Sequence, residues 1–395
     1  MSSSTERPRA AIVGTGFIGA VHLDALRRLG VPVAGVLGSS HSRSVEFAQS
    51  WGLGRAYRDY DELLSDEAVD VVHITSPNDQ HFPQARDALR AGKHVVCEKP
   101  LAMDSVETGQ LAALAESTGL VAAVNFNIRF YPHVHEMRSR VATGSVGRPY
   151  LVTGSYLQDW LLLDTDWNWR LDSARGGDLR VVGDIGSHWF DLASFVTGQR
   201  IVEVMADLTT FIPVRRRPSG EVATFSAVSG PTTDAKIGSE DGGSILLRFD
   251  GGARGAVSVS QVSAGRKNAV SIEVSASTAS LSWRGERPDE LWIGHRESPN
   301  EVLLRDPALL SPSAASITRL PGGHAEGFEN GFAALYAAVY GDVAAGGPAA
   351  DPTYATFADG HYEALVIDAV AESARTSSWT AVADHGFGTT GSERT

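Results

Sequence analysis

The chain has 395 residues, 43% of them hydrophobic and 21% charged, a composition typical of a soluble globular protein with two domains of ordinary size. Its formal net charge of −13 argues against a nucleic-acid partner, because phosphate binding needs clustered Lys and Arg. The single cysteine, Cys97, excludes an intrachain disulfide and a thiolate metal cluster. No segment predicts a membrane span or a signal peptide, so we expect a cytoplasmic protein.

In residues 9 to about 125, short apolar strands alternate with amphipathic helices, the pattern of βαβ units. Strands are predicted at residues 10–13, 33–37, 69–74, 94–97 and 121–124. Helices are predicted between them at residues 20–29, 42–51, 60–64, 82–91 and 105–118. This order predicts an α/β domain with a doubly wound parallel sheet over residues 1–125.

A GxGxxG motif follows the first strand and opens the first helix, with glycines at Gly14, Gly16 and Gly19. In this context the first glycine allows a tight turn, the second lets the backbone approach a pyrophosphate, and the third lets helix and strand pack closely. Phe17 and Ile18 complete the loop at the helix N-terminus, where phosphates bind. The motif therefore predicts a Rossmann domain that binds a dinucleotide.

The segment after the second strand bears on the choice of cofactor. About 20 residues beyond the glycines an NAD enzyme usually carries Asp or Glu for the ribose hydroxyls, but here Ser39, Ser40 and Arg43 stand without a carboxylate. These side chains could accept a 2′-phosphate, which favours NADP over NAD. The alternative is that Arg43 is only a solvated residue in the first turn of the next helix.

Lys99 follows a predicted buried strand, directly after Glu98 and before Pro100. Proline cannot extend a strand ladder, so the strand ends here, and ligands of parallel sheets lie outside the carboxyl ends of the strands. Lys99 is therefore either a solvated lysine or a cation that points into a cleft.

Beyond residue 125 the pattern changes to longer strands of alternating polarity. Val257, Val259 and Gln261 alternate with serines, and residues 271–276 repeat the pattern, which is typical of an antiparallel sheet with one covered face. Helices are predicted at residues 184–197, 327–340 and 352–376. We therefore predict a C-terminal α+β domain with a large, mainly antiparallel open sheet over residues 126–382, and a disordered tail at 383–395. The basic run 215–217 is interpreted as a solvated loop because Pro-Ser-Gly follows it.

Asp184 and His188 are four residues apart in the predicted helix at 184–197. Positions i and i+4 share a helix face, about 6 Å apart, so the carboxylate and the imidazole would point into one cleft. Histidine exchanges protons near neutral pH, and a nearby carboxylate raises its basicity. The alternative interpretation is a helix cap at Asp184 above a buried, hydrogen-bonded histidine.

The chain resembles the Gfo/Idh/MocA oxidoreductases, named for glucose-fructose oxidoreductase and inositol dehydrogenase, over about residues 9–382. Its motifs are the glycine loop, Glu98-Lys99-Pro100, the loop Thr75-Ser76-Pro77-Asn78-Asp79-Gln80-His81, Asp-x-Gly-x-His-x-x-Asp at Asp184, Gly186, His188 and Asp191, and Phe357-Ala358-Asp359-Gly360. The resemblance implies that Thr75, Pro77, Asn78, His81, Glu98 and Lys99 lie at the cofactor. It also implies that the sheet of the second domain joins subunits into a homodimer or homotetramer.

The resemblance implies hydride transfer between a nicotinamide and a secondary alcohol or ketone of a sugar, a sugar derivative or an inositol. We assign His188 as acid/base, Lys99 as the cation that stabilises the alkoxide, and Asp184 as the group that orients either; lysine and histidine could exchange roles. Two alternatives remain: a glycosidase that uses its nicotinamide transiently, and a non-catalytic sugar sensor. The presence of all three residues argues against the sensor.

Aromatic and polar residues suited to a sugar lie before the predicted helix, since aromatic rings cover C–H faces while polar groups bind hydroxyls. The candidate substrate-binding residues are Asn125, Arg129, Trp160, Trp169, Arg170, Asp184, His188 and His324. No metal site is predicted, because no HExxH-like ligand pair occurs and the group around His133, His135 and Glu136 is interpreted as a polar helix start.

Overall fold

The computed structural model describes residues 7–220 and 230–383, so the predicted tail lies outside the described residues except for its first position. The helices are α1 Phe17–Leu29, α2 His41–Ser50, α3 Tyr60–Leu64, α4 His81–Arg90, α5 Ser105–Thr118, α6 Pro132–Ala142, α7 Ser173–Gly176, α8 Ser187–Thr197, α9 Pro312–Ile317, α10 Phe328–Ala345 and α11 Phe357–Thr376. No helix in the described part of the chain is long and apolar enough to cross a membrane.

The first sheet contains β1 Ala10–Val13, β2 Val33–Leu37, β3 Val71–Ile74, β4 His94–Cys97, β5 Ala122–Val124 and β16 Ala355–Thr356. Its order is β2-β1-β3-β4-β5-β16, with the first five strands parallel. The strand order reverses between β1 and β3, and ligands of such sheets bind in the crevice at that point. The predicted doubly wound Rossmann sheet is confirmed.

The second sheet contains β6 Pro149–Leu157, β7 Ile201–Thr209, β10 Gly242–Phe249, β11 Arg254–Ser260, β12 Ala269–Ala276, β13 Ser280–Arg284, β14 Glu290–Gly294, β15 Glu301–Leu304 and β17 Thr380–Ala381. It is antiparallel except for the pair β6 and β11, which confirms the predicted mainly antiparallel sheet. The predicted alternation holds, since Val257, Val259 and Gln261 are buried and Ser258 is exposed. The other face exposes apolar side chains such as Leu151 and Leu246; association of subunits through it stays a prediction.

A late part of the chain returns to the first sheet. Helix α10 buries Leu335, Tyr336 and Val339 in the core beside α1, and β16 pairs antiparallel with β5. The predicted helix over 352–376 therefore starts only at Phe357, where Thr356 caps α11. Because these elements cross back, the division of the chain at residue 125 stays a prediction.

The basic run 215–217, interpreted from sequence as a solvated loop, belongs instead to a strand, which corrects that interpretation. β8 Val214–Pro218 pairs with β9 Thr232–Lys236 outside both large sheets. Arg215 is fully buried because its guanidinium donates to Asp241 and to the carbonyl of Leu163, both at 2.8 Å. A buried charge is tolerated when it is paired and hydrogen-bonded in this way.

His135 makes stability sensitive to acid. It lies on α6 between the rings of Phe130 and Phe195, where burial lowers the pKa of the imidazole to about 3. An unfolded histidine titrates near 6.5, so the unfolded chain binds one more proton below that pH and stability falls as the pH drops. We expect His135→Phe to reduce the loss of unfolding free energy between pH 7.5 and pH 5 by about 2 kcal/mol. Urea unfolding at both pH values checks this; equal losses in both proteins would contradict it.

Candidate active site

A large cleft lies between the two domains, with a volume of about 1350 Å³. Small-ligand pockets typically span about 300–1,000 Å³, so this cleft has room for more than one ordinary ligand. The carboxyl ends of β1, β3 and β4 form one wall through Gly14, Thr75 and Glu98. Residues that come before α8 form the opposite wall. The cleft therefore lies where a doubly wound sheet binds its ligands.

The glycine loop fits a dinucleotide. Gly14 has a φ of +116°, and a Cβ at this position would lie 2.4 Å from Thr75 Oγ1. A Cβ on Gly19 would lie 2.3 Å from the carbonyl oxygen of Gly14, so helix and strand pack through these two glycines. Gly16 has open space around it and precedes α1, whose N-terminus has no side-chain cap. The free N–H groups of such a helix end bind phosphate.

The open space at Gly16 leads to a prediction that separates binding from folding. We expect Gly16→Ala to leave the melting temperature unchanged, because a Cβ there meets nothing within 4 Å in the protein. We expect it to weaken dinucleotide binding by at least about tenfold, or about 1.4 kcal/mol, since the methyl group occupies the path of the pyrophosphate. Fluorescence titration with the reduced cofactor measures this. Gly54→Ala, at another open glycine, is the control, and equal affinities in both variants would exclude the predicted role of Gly16.

Lys99 points into the cleft and reaches across to the second domain. Its ammonium donates to Asp184 Oδ1 at 2.8 Å and to the carbonyl oxygen of Asp184 at 2.6 Å. Arg170 Nε lies 3.3 Å from the same carboxylate, and Gln261 Nε2 donates to its other oxygen at 2.7 Å. Burial alone would raise the pKa of Asp184, but Lys99 and Arg170 outweigh it and hold the pKa far below its usual range. Asp184 is therefore a permanent anion that holds two cations.

The segment with Asp184 is not the regular helix predicted from sequence. Residues Val182–Gly186 form a π-helical turn, and α8 begins only at Ser187. The turn is anchored by Glu240, whose carboxylate accepts from the backbone N–H groups of Arg180 and Val182 at 2.9 and 2.8 Å. Single π-helical turns inside helices are frequent at functional sites. Despite the wider turn, Asp184 and His188 both line the cleft, as the simple helix spacing predicted.

His188 is 7% exposed and packs edge-on against the ring of Phe126, with ring centres 5.5 Å apart. Its Nδ1 has no hydrogen-bond partner among the described residues. Burial and the charge of Lys99 lower the pKa of the imidazole to about 3, although Glu98 and Asp184 act in the opposite direction. The sequence predicted that Asp184 would raise the basicity of His188; burial outweighs that effect. The imidazole is therefore uncharged at neutral pH and able to accept a proton.

Glu98 is the cleft end of a buried hydrogen-bonded chain. Its Oε1 lies 3.1 Å from His22 Nε2, His22 Nδ1 lies 3.0 Å from His73 Nδ1, and His73 Nε2 lies 3.0 Å from the hydroxyl of Tyr340. Asn125 Nδ2 also donates to Glu98 Oε1. Burial would raise the pKa of Glu98, but its hydrogen bond to His22, the charge of Lys99 and the bond from Asn125 lower it to about 2. The carboxylate before Lys99 is therefore ionised and fixed in position.

Most of the predicted site residues lie in the wall of this one cleft. They are Gly14, Gly16, Phe17, Ile18, Ser39, Arg43, Thr75, Pro77, Asn78, His81, Glu98, Lys99, Trp160, Trp169, Arg170, Asp184 and His188. The wall also contains residues that sequence reasoning did not select, among them Asn127, Tyr156, Arg175 and Arg217. They come from separate segments of the chain that only the fold brings to one cleft, which a one-dimensional pattern does not reveal.

Five predicted site residues lie outside this wall. Gly19 packs on Gly14, and Ser40 caps α2 by accepting from the Arg43 N–H. Asn125 is held under the site by Glu98, and His324 is exposed with its Nδ1 3.3 Å from the carbonyl oxygen of Gly322.

Arg129 is the fifth of these residues. Its Nε donates to both oxygens of Asp191 at 2.9 Å. This ion pair attaches the turn that follows β5 to helix α8. Asp191, the last residue of the Asp-x-Gly-x-His-x-x-Asp motif, is thus a structural partner rather than part of the cleft.

Across residues 7–220 and 230–383, no group of three or more His, Cys, Asp or Glu side chains is arranged to hold a metal ion. His135 is enclosed by aromatic rings, and Glu136 accepts from Arg140 and from the Ser311 N–H. The cleft instead brings together a glycine loop at a helix N-terminus, a lysine, a carboxylate and an uncharged histidine. This combination defines a two-domain, nicotinamide-dependent oxidoreductase.

The chain belongs to the Gfo/Idh/MocA oxidoreductase family. The family's NAD-binding Rossmann domain matches residues 8–126, and its C-terminal domain matches residues 134–282. Levoglucosan dehydrogenase of Pseudarthrobacter phenanthrenivorans is 29% identical over 389 residues, which covers 94% of this chain and 97% of that protein.

Solved structures agree with this assignment. An oxidoreductase domain protein from Kribbella flavida superposes with a TM-score of 0.86 at 31% identity, over 96% of this chain and 100% of the other. An inositol dehydrogenase homologue from Azotobacter vinelandii, complexed with NADH and myo-inositol, superposes with a TM-score of 0.81 at 26% identity, over 95% and 98% of the two chains.

Proposed function

We propose that the protein transfers a hydride between a nicotinamide cofactor and a secondary alcohol or ketone of a sugar, a sugar derivative or an inositol. The observation that carries this proposal is the contact of Lys99 with Asp184 beside the uncharged His188, across the cleft from the glycine loop. The named relatives act on or bind levoglucosan and myo-inositol, which are polyhydroxylated rings. Trp160 and Trp169 in the wall suit the C–H faces of such rings.

The roles of the protein's own residues follow from their charges. A nicotinamide cofactor bound in this cleft would supply the hydride acceptor for oxidation and the hydride donor for reduction. His188 accepts the hydroxyl proton at a ring nitrogen during oxidation and returns it during reduction, because its imidazole lines the cleft beside Lys99 and its Nδ1 has no hydrogen-bond partner among the described residues. The Lys99 ammonium donates a hydrogen bond to the reacting oxygen and stabilises negative charge on it. Asp184 holds Lys99 in position and favours the imidazolium that forms.

Absorbance of the reduced cofactor during a screen of polyols, aldoses, glycosides and ketosugars tests the proposal. We expect at least one alcohol to reduce the cofactor in proportion to its own oxidation. Release of aglycone without net cofactor reduction would identify a glycosidase instead. Sugar binding without any turnover would identify a sensor.

We propose that the adenosine end of the cleft favours NADP over NAD. Ser39 and Arg43 line this end, after β2, and the lining there contains no carboxylate among the described residues. A guanidinium or hydroxyl that contacts a 2′-phosphate forms a charge-assisted hydrogen bond, which contributes about 1.5–3 kcal/mol.

Arg43→Ala tests this preference. We expect the dissociation constant for NADP to rise by about tenfold or more while that for NAD stays close to the wild-type value, because only the 2′-phosphate is affected. Calorimetric titration of both cofactors measures the two constants. Tenfold tighter binding of NAD than of NADP to the wild-type protein would end the proposal.

A further inference from the structure

Two arginines line the cleft near its tryptophans and form no ion pair with a carboxylate among the described residues. Arg175 lies on α7 with its guanidinium 5.8 Å from the ring centre of Trp169. Arg217 lies on β8 with its guanidinium 5.6 Å from the ring centre of Trp167. We call Arg175, Arg217 and these two tryptophans the arginine–tryptophan wall. Stacking on an aromatic face orients a guanidinium and leaves its N–H groups at the ring edge available to a ligand.

The position of Arg217 follows from the alternation of side chains along β8. Arg215 and Arg217 are two residues apart, so they lie on the same face of the strand, and Arg217 lines the cleft. Arg215 is fixed by Asp241 and Leu163, and the N–H of Arg216 donates to the carbonyl of Asp164 at 2.8 Å. This anchoring places Arg217 over the cleft.

Arg175 is positioned by short contacts of α7. Asn78 Nδ2, in the loop after β3, donates to the carbonyl oxygen of Gly176 at 3.3 Å. A Cβ on Gly176 would lie 2.6 Å from the carbonyl oxygen of Arg170, so α7 packs closely on the turn that carries Trp169. Arg175 is therefore held between the loop after β3, which carries Asn78, and Trp169.

The other cations of this region already have partners. Arg170 is paired with Asp184, and Lys267 is paired with Asp159 at 2.8 Å. Asp172 also lines the cleft, but its Oδ1 caps α7 by accepting from the Ala174 N–H at 3.2 Å. Two guanidinium groups that have no ion-pair partner among the described residues thus line the cleft of a protein with a formal net charge of −13. An anion is attracted to this wall and repelled by much of the remaining surface.

We propose that the arginine–tryptophan wall binds the acidic group of an anionic sugar, namely the carboxylate of a sugar acid or the phosphate of a sugar phosphate. This inference rests on the proposed function and names the substrate class of that site. A planar guanidinium matches both groups through paired N–H donors, while the tryptophans cover the sugar ring. The sugar is then held by its charged end, and a hydroxyl elsewhere on the ring faces Lys99 and His188.

Matched sugar pairs test the proposal on the holoenzyme. The probes are D-glucose against D-glucuronate and D-glucose 6-phosphate, and myo-inositol against its monophosphate, with kcat/KM measured for each and binding measured by calorimetry in the presence of cofactor. We expect one anionic member to exceed its neutral partner at least about tenfold, and Arg217→Gln and Arg175→Gln each to remove most of that preference. The better of the carboxylate and phosphate probes identifies the acidic group. Arg216→Gln is the matched control, because Arg216 lies on the opposite face and pairs with Asp234.

The outcomes separate this inference from the proposed function. Turnover of neutral sugars with no preference for any anionic partner would overturn the inference and leave the proposed function intact. Loss of cofactor affinity in Arg175→Gln and Arg217→Gln, with unchanged sugar preference, would also overturn it, because the two arginines would then bind the cofactor phosphates. Preferential binding of an anionic sugar through Arg217 without any cofactor reduction would support the inference and overturn the proposed function.

Discussion

Lys99→Met is expected to lower kcat by about 10² to 10⁴ on the best substrate, while the affinity for the reduced cofactor stays close to the wild-type value. The reason is that Lys99 follows the end of β4 and its ammonium, which donates to Asp184, lies in the cleft where the reacting oxygen is expected to bind. Methionine keeps most of the volume and removes the charge. Steady-state kinetics and cofactor titration of the same preparation measure the two effects.

Lys99→Met needs a control that shows the effect of replacing a lysine by methionine away from the cleft. Lys93→Met serves, because the Lys93 ammonium donates only to the backbone carbonyls of Asp66 and Val69, away from the cleft, among the described contacts. Near wild-type turnover in Lys99→Met, with Lys93→Met equally active, would contradict the assignment of Lys99.

His188→Ala is expected to lower kcat by the same order, about 10² to 10⁴, because it removes the uncharged imidazole that lines the cleft beside Lys99 and Asp184. The loss should be largest at low pH and partly relieved as the pH rises, because hydroxide in solution then replaces the missing base. A pH profile of kcat from pH 6 to pH 10 measures this for both proteins.

The double variant adds a second test of His188. Residues that act as a unit show strongly non-additive effects, so Lys99→Met with His188→Ala should cost little more than the worse single change. Fully additive losses, or a pH profile of His188→Ala parallel to that of the wild type, would argue that His188 acts only through packing against Phe126.

The sequence predicted much of the fold because the signals were local. The period-two pattern around Val257 identified the buried face of β11, and the glycine spacing from Gly14 to Gly19 identified the turn into α1. The position of Lys99 at the cleft is predictable because Pro100 ends the strand before it and because ligands bind outside the carboxyl ends of parallel strands. These inferences need only the spacing of residues that are neighbours in the chain, or the general rule that ligands bind at the carboxyl ends of parallel strands.

The remaining features depend on partners far away in the sequence. Arg129 follows the last Rossmann strand and would face the cleft by position, but Asp191, 62 residues later, binds its guanidinium instead. Arg217 lies in the basic run 215–217, which is typical of a solvated loop. The hydrogen bond from Arg215 to Asp241 nevertheless holds this segment as a strand at the cleft wall. The low pKa of His188 likewise depends on burial by Phe126 and other segments, which no spacing reveals.

The central claim, hydride transfer to a sugar carbon at Lys99 and His188, is tested most directly with reduced cofactor that carries deuterium at both C4 positions. The labelled reduced cofactor is mixed with the ketone form of the best substrate, and the products are analysed by mass spectrometry. We predict one deuterium bound to one sugar carbon for each cofactor oxidised, in the wild-type protein and not in the double variant. A sugar product without deuterium, or deuterium that reaches solvent instead of the sugar, would contradict the account.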